Sequence, residues 1–201
     1  MSLGNLHQRT YVALVHHPVY DKKHKVVATS VTNLDIHDIA RACRTYGLSG
    51  YYLVHPVGAQ RELTRRIVAH WKTSEGMAQN EDRSAALRLV QVSASIEEVI
   101  REIQDSHRLP PIVVATSARA RPPMLQPHEV LKGADASERP LLLLFGTGWG
   151  LTDEWIEKAD SLMGPIRGPT DYNHLAVRTA VGIILDRLFG EPRYNCGEHR
   201  L

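Results

Sequence analysis

The segment Leu141-Leu-Leu-Leu-Phe145, running straight into Gly146-Thr-Gly-Trp-Gly150, constrains this chain more than any other. Five consecutive apolar residues without alternation read as a central parallel strand buried on both faces. Parallel neighbours are joined by crossovers, usually helical, so the rest of the chain has to alternate strands with helices. Three glycines spaced by two follow the strand, and a helix begins near Thr152, with Thr152, Asp153 and Glu154 supplying capping and first-turn acidic residues. Glycine lets backbone approach a ligand closely. In parallel sheets ligands bind beyond the carboxyl ends of the strands. A plain tight turn from strand to helix fits the same residues.

The remaining segments alternate as required. Tyr11–Val15, Tyr51–Val54, Leu89–Val92 and Ile112–Ala115 have strand composition. Residues 17–33 read as a loop or short hairpin. Ile36, Ile39, Ala40 and Cys43 fall at helical spacing, with Asn33 or Asp35 as the cap and Gly47 as the stop. Leu63, Ile67 and Trp71 mark a second helix, and the polar stretch 72–82 reads as a mobile loop. Ser95-x-x-Glu98 is a capping box opening a helix to about Ser106. Val177, Val181, Ile184, Leu185 and Leu188 form the apolar stripe of a last helix. About six strands alternating with about six helices give an α/β fold around a mostly parallel sheet. With 201 residues and no linker or repeat, one domain is expected, its core spanning about 10–190 and a flexible tail covering 191–201.

Composition narrows the function classes. The 24 Lys+Arg against 22 Asp+Glu leave a formal +2, too weak to demand or forbid nucleic acid. Arg dominates the basic set, and its planar fork suits phosphates and base edges. Cys43 and Cys196 are too few for a disulfide scaffold, and Cys43 lies on an apolar helical face. No C-x-x-C pattern or His/carboxylate cluster points to a metal. No secretory pattern is present, and the longest uncharged apolar stretch, 140–151, is too short to span a bilayer. A soluble cytoplasmic protein is expected.

Three segments carry chemistry. The Gly146–Gly150 loop departs from G-x-G-x-x-G by one residue and follows the fifth strand rather than the first. It lacks the Lys-Ser/Thr of a phosphate-binding P-loop. Pro165-Ile-Arg-Gly-Pro-Thr-Asp-Tyr-Asn-His-Leu-Ala-Val177 is a proline-bracketed loop feeding the last helix, where Asp171 and Asn173 also suit capping. In Asn33-Leu-Asp-Ile-His-Asp-Ile-Ala-Arg-Ala-Cys-Arg-Thr-Tyr-Gly47, Arg41 falls at the polar edge of an apolar face.

Taken in this order, the three segments resemble the SPOUT superfamily of trefoil-knotted RNA methyltransferases. Ile39-Ala40-Arg41 and Tyr46-Gly47 match the first motif of its ribose-methylating branch. Leu143–Leu151 is similar to the second motif, with Thr147 and Trp149 in its interior and no Glu. Pro165-Ile166, Gly168, Tyr172-Asn173 and 175–180 resemble the third, with different spacing around Asn173. Tyr-Val-Ala-Leu-Val-His, Thr-Asn-Leu-Asp-Ile-His-Asp-Ile-Ala-Arg and Asp-Tyr-Asn-His-Leu bring the chain closest to a compact bacterial subgroup described as S-adenosylmethionine-dependent RNA methyltransferases.

The resemblance implies a C-terminal knot whose loops 116–121, 146–151 and 165–177 hold a bent S-adenosylmethionine. Thr116 and Ser117 would offer hydroxyls. Phe145, Gly146, Thr147, Gly148, Trp149, Gly150, Pro165, Gly168 and Tyr172 would shape the cofactor wall, with Ile166, Leu175 and Val177 lining an adenine slot. Arg41 takes the catalytic position, where a guanidinium stabilises an emerging alkoxide rather than acting as a base. Asn33 and Asn173 would orient the substrate, and Asp171 is a candidate base if the target is a base nitrogen instead of a ribose 2′-hydroxyl. Arg119, Arg121 and His17 are the expected RNA contacts. The implied substrate is tRNA or rRNA, the implied assembly a homodimer, and no metal or membrane is called for. Two other classes fit the residues: a Rossmann-like coenzyme enzyme using the Gly146 loop, and a non-catalytic RNA-binding module.

Overall fold

In the structure, a computed structural model that describes residues 5–73, 78 and 80–191, six parallel strands form one sheet. They are β1 (Thr10–Val15), β4 (Gly50–Val54), β5 (Val90–Ser93), β6 (Ile112–Thr116), β7 (Leu141–Gly146) and β8 (Ser161–Met163). A separate antiparallel pair, β2 (Val19–Tyr20) and β3 (Val26–Val27), makes a small hairpin after β1. The sheet order is β5-β4-β1-β7-β6-β8, so β1 and β7 lie side by side at its centre.

The central apolar run is buried on both faces, as its continuity requires. Leu141, Leu143 and Phe145 belong to one core cluster, and Leu142 and Leu144 to the other. The two-residue period of a strand sends alternate side chains to opposite faces. The first face is covered by α1 (Asn33–Thr45), α2 (Gly58–Lys72), α3 (Glu81–Leu87), α5 (Pro127–Ser137) and α7 (Val177–Phe189). The second is covered by α4 (Ile96–His107) and the short α6 (Asp153–Lys158). Leu143 is fully buried between layers, and truncating such a side chain to Ala costs about 2–5 kcal/mol.

Several local expectations are refined. Thr32, not Asn33 or Asp35, caps α1: its hydroxyl accepts from the Asp35 amide at 3.2 Å and donates to Asp35 Oδ2 at 2.6 Å. Gly47 follows the end of α1 at φ +69°, a conformation that favours glycine. The stretch expected as a loop over 72–82 closes on a helix start, because the Asn80 side chain caps α3. The capping box at Ser95 is half reciprocal: Glu98 accepts from the Ala94 amide and the Ser93 hydroxyl. The stripe on α7 is core, with Val181, Ile184, Leu185 and Leu188 buried and Val177 half-buried. Cys43 is a fully buried free thiol. Cys196 and most of the expected tail lie outside the described residues. Among the described residues, no helix is long and apolar enough to cross a membrane.

Candidate active site

Because every strand of the main sheet runs the same way, the segments after β1, β4, β6, β7 and β8 all leave from one edge. The glycine loop after β7 doubles back there. A Cβ on Gly146 would lie 2.5 Å from the Leu151 amide nitrogen, so only glycine allows the return. The loop is welded to the hairpin: Trp149 N–H donates to the Tyr20 carbonyl at 2.9 Å, and Tyr20 N–H to the Gly150 carbonyl at 2.9 Å. Gly148, at φ +57°, would bring a Cβ within 2.9 Å of that same Tyr20 carbonyl. One side of the loop thus faces protein, while Trp149 stays half-exposed and Gly148 exposed.

The loop after β6 is tied to its surroundings. The Thr116 hydroxyl donates to the Leu144 carbonyl, and Ser117 Oγ accepts from the Arg119 amide. Arg119 Nη1 donates to His24 Nε2 at 2.9 Å, linking the loop to the hairpin turn. Arg121 is ion-paired with Asp153, which also accepts from the Tyr20 hydroxyl. The Arg121 hydrogen bond holds the Asp153 carboxyl below its ordinary pKa. Phe145 belongs to the core, and Thr147 donates its hydroxyl to the Val15 carbonyl.

The loop after β8 closes over a cavity of 210 Å³ lined by Pro165, Gly168, Asp171, Tyr172 and Asn173 together with Ala118 and Arg167. Asn173 Nδ2 donates to the Ala118 carbonyl at 2.6 Å and bridges this loop to the one after β6. Ile166 packs half-buried against the core, whereas Leu175 is exposed and Tyr172 strongly so. The lining joins a basic side chain, a carboxylate, an amide and open backbone at Gly168, where a Cβ would meet nothing within 4 Å. Those donors and acceptors fit an adenosine-bearing zwitterion. The cavity's 210 Å³ is below the roughly 300–1,000 Å³ of typical ligand sites.

Asn33 and Arg41 lie together elsewhere, in a 560 Å³ groove between α1, α2 and α3. The groove and the cavity share no lining residue. His17 sits half-buried at the sheet edge after β1.

A buried polar cluster at the same edge escaped the sequence reading. His16 and His55 each follow a Leu-Val strand end on adjacent strands, and their rings lie 5.6 Å apart. Val57 N–H donates to His55 Nδ1, so His55 Nε2 carries the proton and donates to the Thr29 carbonyl. Since Thr147 donates to Val15, Thr29 donates to Thr147, and His16 Nδ1 donates to Thr29 Oγ1 at 3.0 Å. His16 Nε2 is then a bare lone pair, buried and without a hydrogen-bond partner among the described residues. Burial, reinforced by His55, holds His16 at a pKa of about 4. Next to it Asp35 is buried, and Arg178 bridges it at 3.4 Å and Asp38 at 3.5 Å. The repeated Leu-Val-His at residues 14–16 and 53–55 was the available signal; the Asp35–Arg178 pairing, 143 residues apart, left none. Among the described residues, no three metal-ligating side chains converge.

Known proteins agree with this architecture. A family model described as SAM-dependent RNA methyltransferase matches residues 9–190. A protein of Aquifex aeolicus is 37% identical over 188 residues, covering 94% of this chain and 92% of its own. A relative in Oleidesulfovibrio alaskensis, named tRNA (guanine-N(1)-)-methyltransferase, is 45% identical over 90% of this chain, which spans only 42% of that protein's length. The solved structure of TrmJ from Zymomonas mobilis superposes with a TM-score of 0.58 at 18% identity, over 90% of this chain and 69% of that one. Likeness at that identity speaks for the fold, and the family match spans all six strands of the sheet. The chain therefore belongs to the family of SAM-dependent RNA methyltransferases.

Proposed function

We propose that this chain transfers a methyl group from S-adenosylmethionine to a ribose 2′-hydroxyl of a structured RNA, tRNA or rRNA, in the cytoplasm. The carrying observation is the convergence of the loops after β6 and β8 on one cavity, joined by Asn173 and Ala118. The knotted path of the family's C-terminal part belongs to this reading. When bound, the cofactor supplies a methyl carbon activated by the adjacent sulfonium. Pro165, Gly168, Tyr172 and Asn173, with the Gly146–Gly150 loop, would hold it. Arg41 would stabilise charge growing on the target oxygen, and Asn33 on the same groove would orient the ribose. A relative in Sodalis glossinidius named for 2′-O-methylation of tRNA, 30% identical over 79% of this chain, supports the ribose target. The relatives named for guanine N1 support a base nitrogen, and Asp171, exposed on the cavity rim, would then be the base.

The separation of the Arg41 groove from the cavity supports a homodimer, in which a second copy completes each site. Mixing inactive Arg41→Ala with inactive Gly148→Val protein tests this. Restored methyl transfer supports sites shared between copies. Continued inactivity of a verified mixed dimer contradicts them. For the function itself, S-adenosylmethionine at a hundred times Kd should stabilise the fold by about 2.7 kcal/mol. Absence of any thermal shift with it, alongside one with NAD, would contradict the cofactor.

A further inference from the structure

The groove that holds Arg41 carries more charge than a catalytic arginine needs. Arg66 from α2 and Arg83 from α3 line the same 560 Å³ hollow, with His37, His70 and Trp71. The Arg83 guanidinium lies 5.0 Å from the Trp71 ring centroid, and both imidazoles meet that indole edge to face at 5.6 Å. Two buried nitrogens here, Arg83 Nε and His37 Nδ1, have no hydrogen-bond partner among the described residues. Asp38 is the one carboxylate in the lining, and Arg178 already engages it. Arg66 bonds Glu62 at 3.2 Å on the open surface, a pairing worth about 1 kcal/mol or less and readily exchanged.

A concave site with three guanidiniums, a partnerless buried N–H and an aromatic floor is complementary to an anionic ligand that carries rings. Guanidinium forks match phosphate oxygens two at a time. Indole and imidazole offer surfaces for unstacked bases. The hollow admits a nucleotide with its flanking phosphates but not the body of an A-form duplex, whose bases stay paired. We propose that this groove is the track for a single-stranded stretch of the RNA substrate. Arg66 and Arg83 take successive phosphates, Trp71 borders a splayed base, and the strand leads its target ribose to Arg41. This inference rests on the RNA-methyltransferase reading.

The test uses the full chain, a fluorescein-labelled oligouridylate and bulk tRNA as probes, with a salt titration. Arg66→Gln and Arg83→Gln should each weaken binding several-fold and lower the slope of log K against log salt by about 0.7, the single-strand value for one phosphate. Arg65→Gln, next in sequence but off the groove, should leave both unchanged. Arg83→Lys keeps the charge and should recover most of the slope, which separates phosphate binding from lost packing on Trp71. Thermal shift by S-adenosylmethionine should persist in every variant. Wild-type slopes in both Gln variants would overturn the groove while leaving the RNA reading intact. Dissociation of a dimer in those variants, with RNA affinity kept, would assign the groove to a second copy and also overturn it. Failure of the wild type to bind either probe would take down the RNA reading itself.

Discussion

Asn173 reaches across the sheet edge to the carbonyl of Ala118, 2.6 Å away, and so fastens the loop after β8 to the loop after β6. An exposed hydrogen bond of this kind is worth about 0.5–1.5 kcal/mol, enough to bias a loop but not to hold it shut. Asn173→Ala should speed hydrogen exchange of the amides in 165–173 without ligand, while exchange of β7 stays slow. Equal exchange in that loop for both proteins would show that the bond does not close the cavity.

Gly148 has no room for a side chain. Its φ of +57° strains any branched residue, and the Tyr20 carbonyl would stand 2.9 Å from its Cβ. Gly148→Val should destabilise the fold by roughly 1–3 kcal/mol through backbone strain and undocking of the β2–β3 hairpin. It should also abolish the stabilisation by S-adenosylmethionine. A variant that melts with the wild type and keeps its ligand shift would separate the loop from both roles.

His16 makes stability depend on pH. Its pKa falls from 6.5 unfolded to about 4 folded, so between those values the unfolded chain binds the extra proton. Stability is then full above pH 6.5 and is lost as pH falls toward 4. At 1.36 kcal/mol per unit the loss approaches roughly 3 kcal/mol. Burial depresses His55 in the same direction. Urea melts at pH 7, 6 and 5 should show this decline, and His16→Gln should flatten it. Parallel declines in the two proteins would contradict the assignment.

Legibility in the sequence followed the range of the interaction. The run 141–146 announced a central strand because burial on both faces leaves no polar position. The cap at Ser95 and the stop at Gly47 were local, and so were readable. Helix α5 has no clear apolar stripe in the sequence, although Pro127 at its first position is a favourable helix start and Gly133 is exposed. Strand β8 has only three residues and exists through its pairing with β6. The sequence places Asn33 with Arg41 and Asp171 with Asn173 as motif neighbours, but their separation into a groove and a cavity is decided by helix packing and leaves no local signal. Arg121, expected as an RNA contact, is ion-paired with Asp153, a partner that only the fold brings to it.

The central claim is that this fold performs methyl transfer to RNA with Arg41 at the reacting atom. The most direct measurement is single-turnover transfer of labelled methyl from S-adenosylmethionine to total RNA lacking the modification, with cofactor affinity followed in parallel. Wild-type protein should label a defined RNA, and Arg41→Ala should be slower by about 10²–10³-fold, the size of losing one preorganised donor, with cofactor affinity unchanged. Arg41→Lys should recover little, because a point charge does not replace the guanidinium fork. Wild-type rates in Arg41→Ala, or no labelling of any RNA fraction by the wild type, would contradict the account.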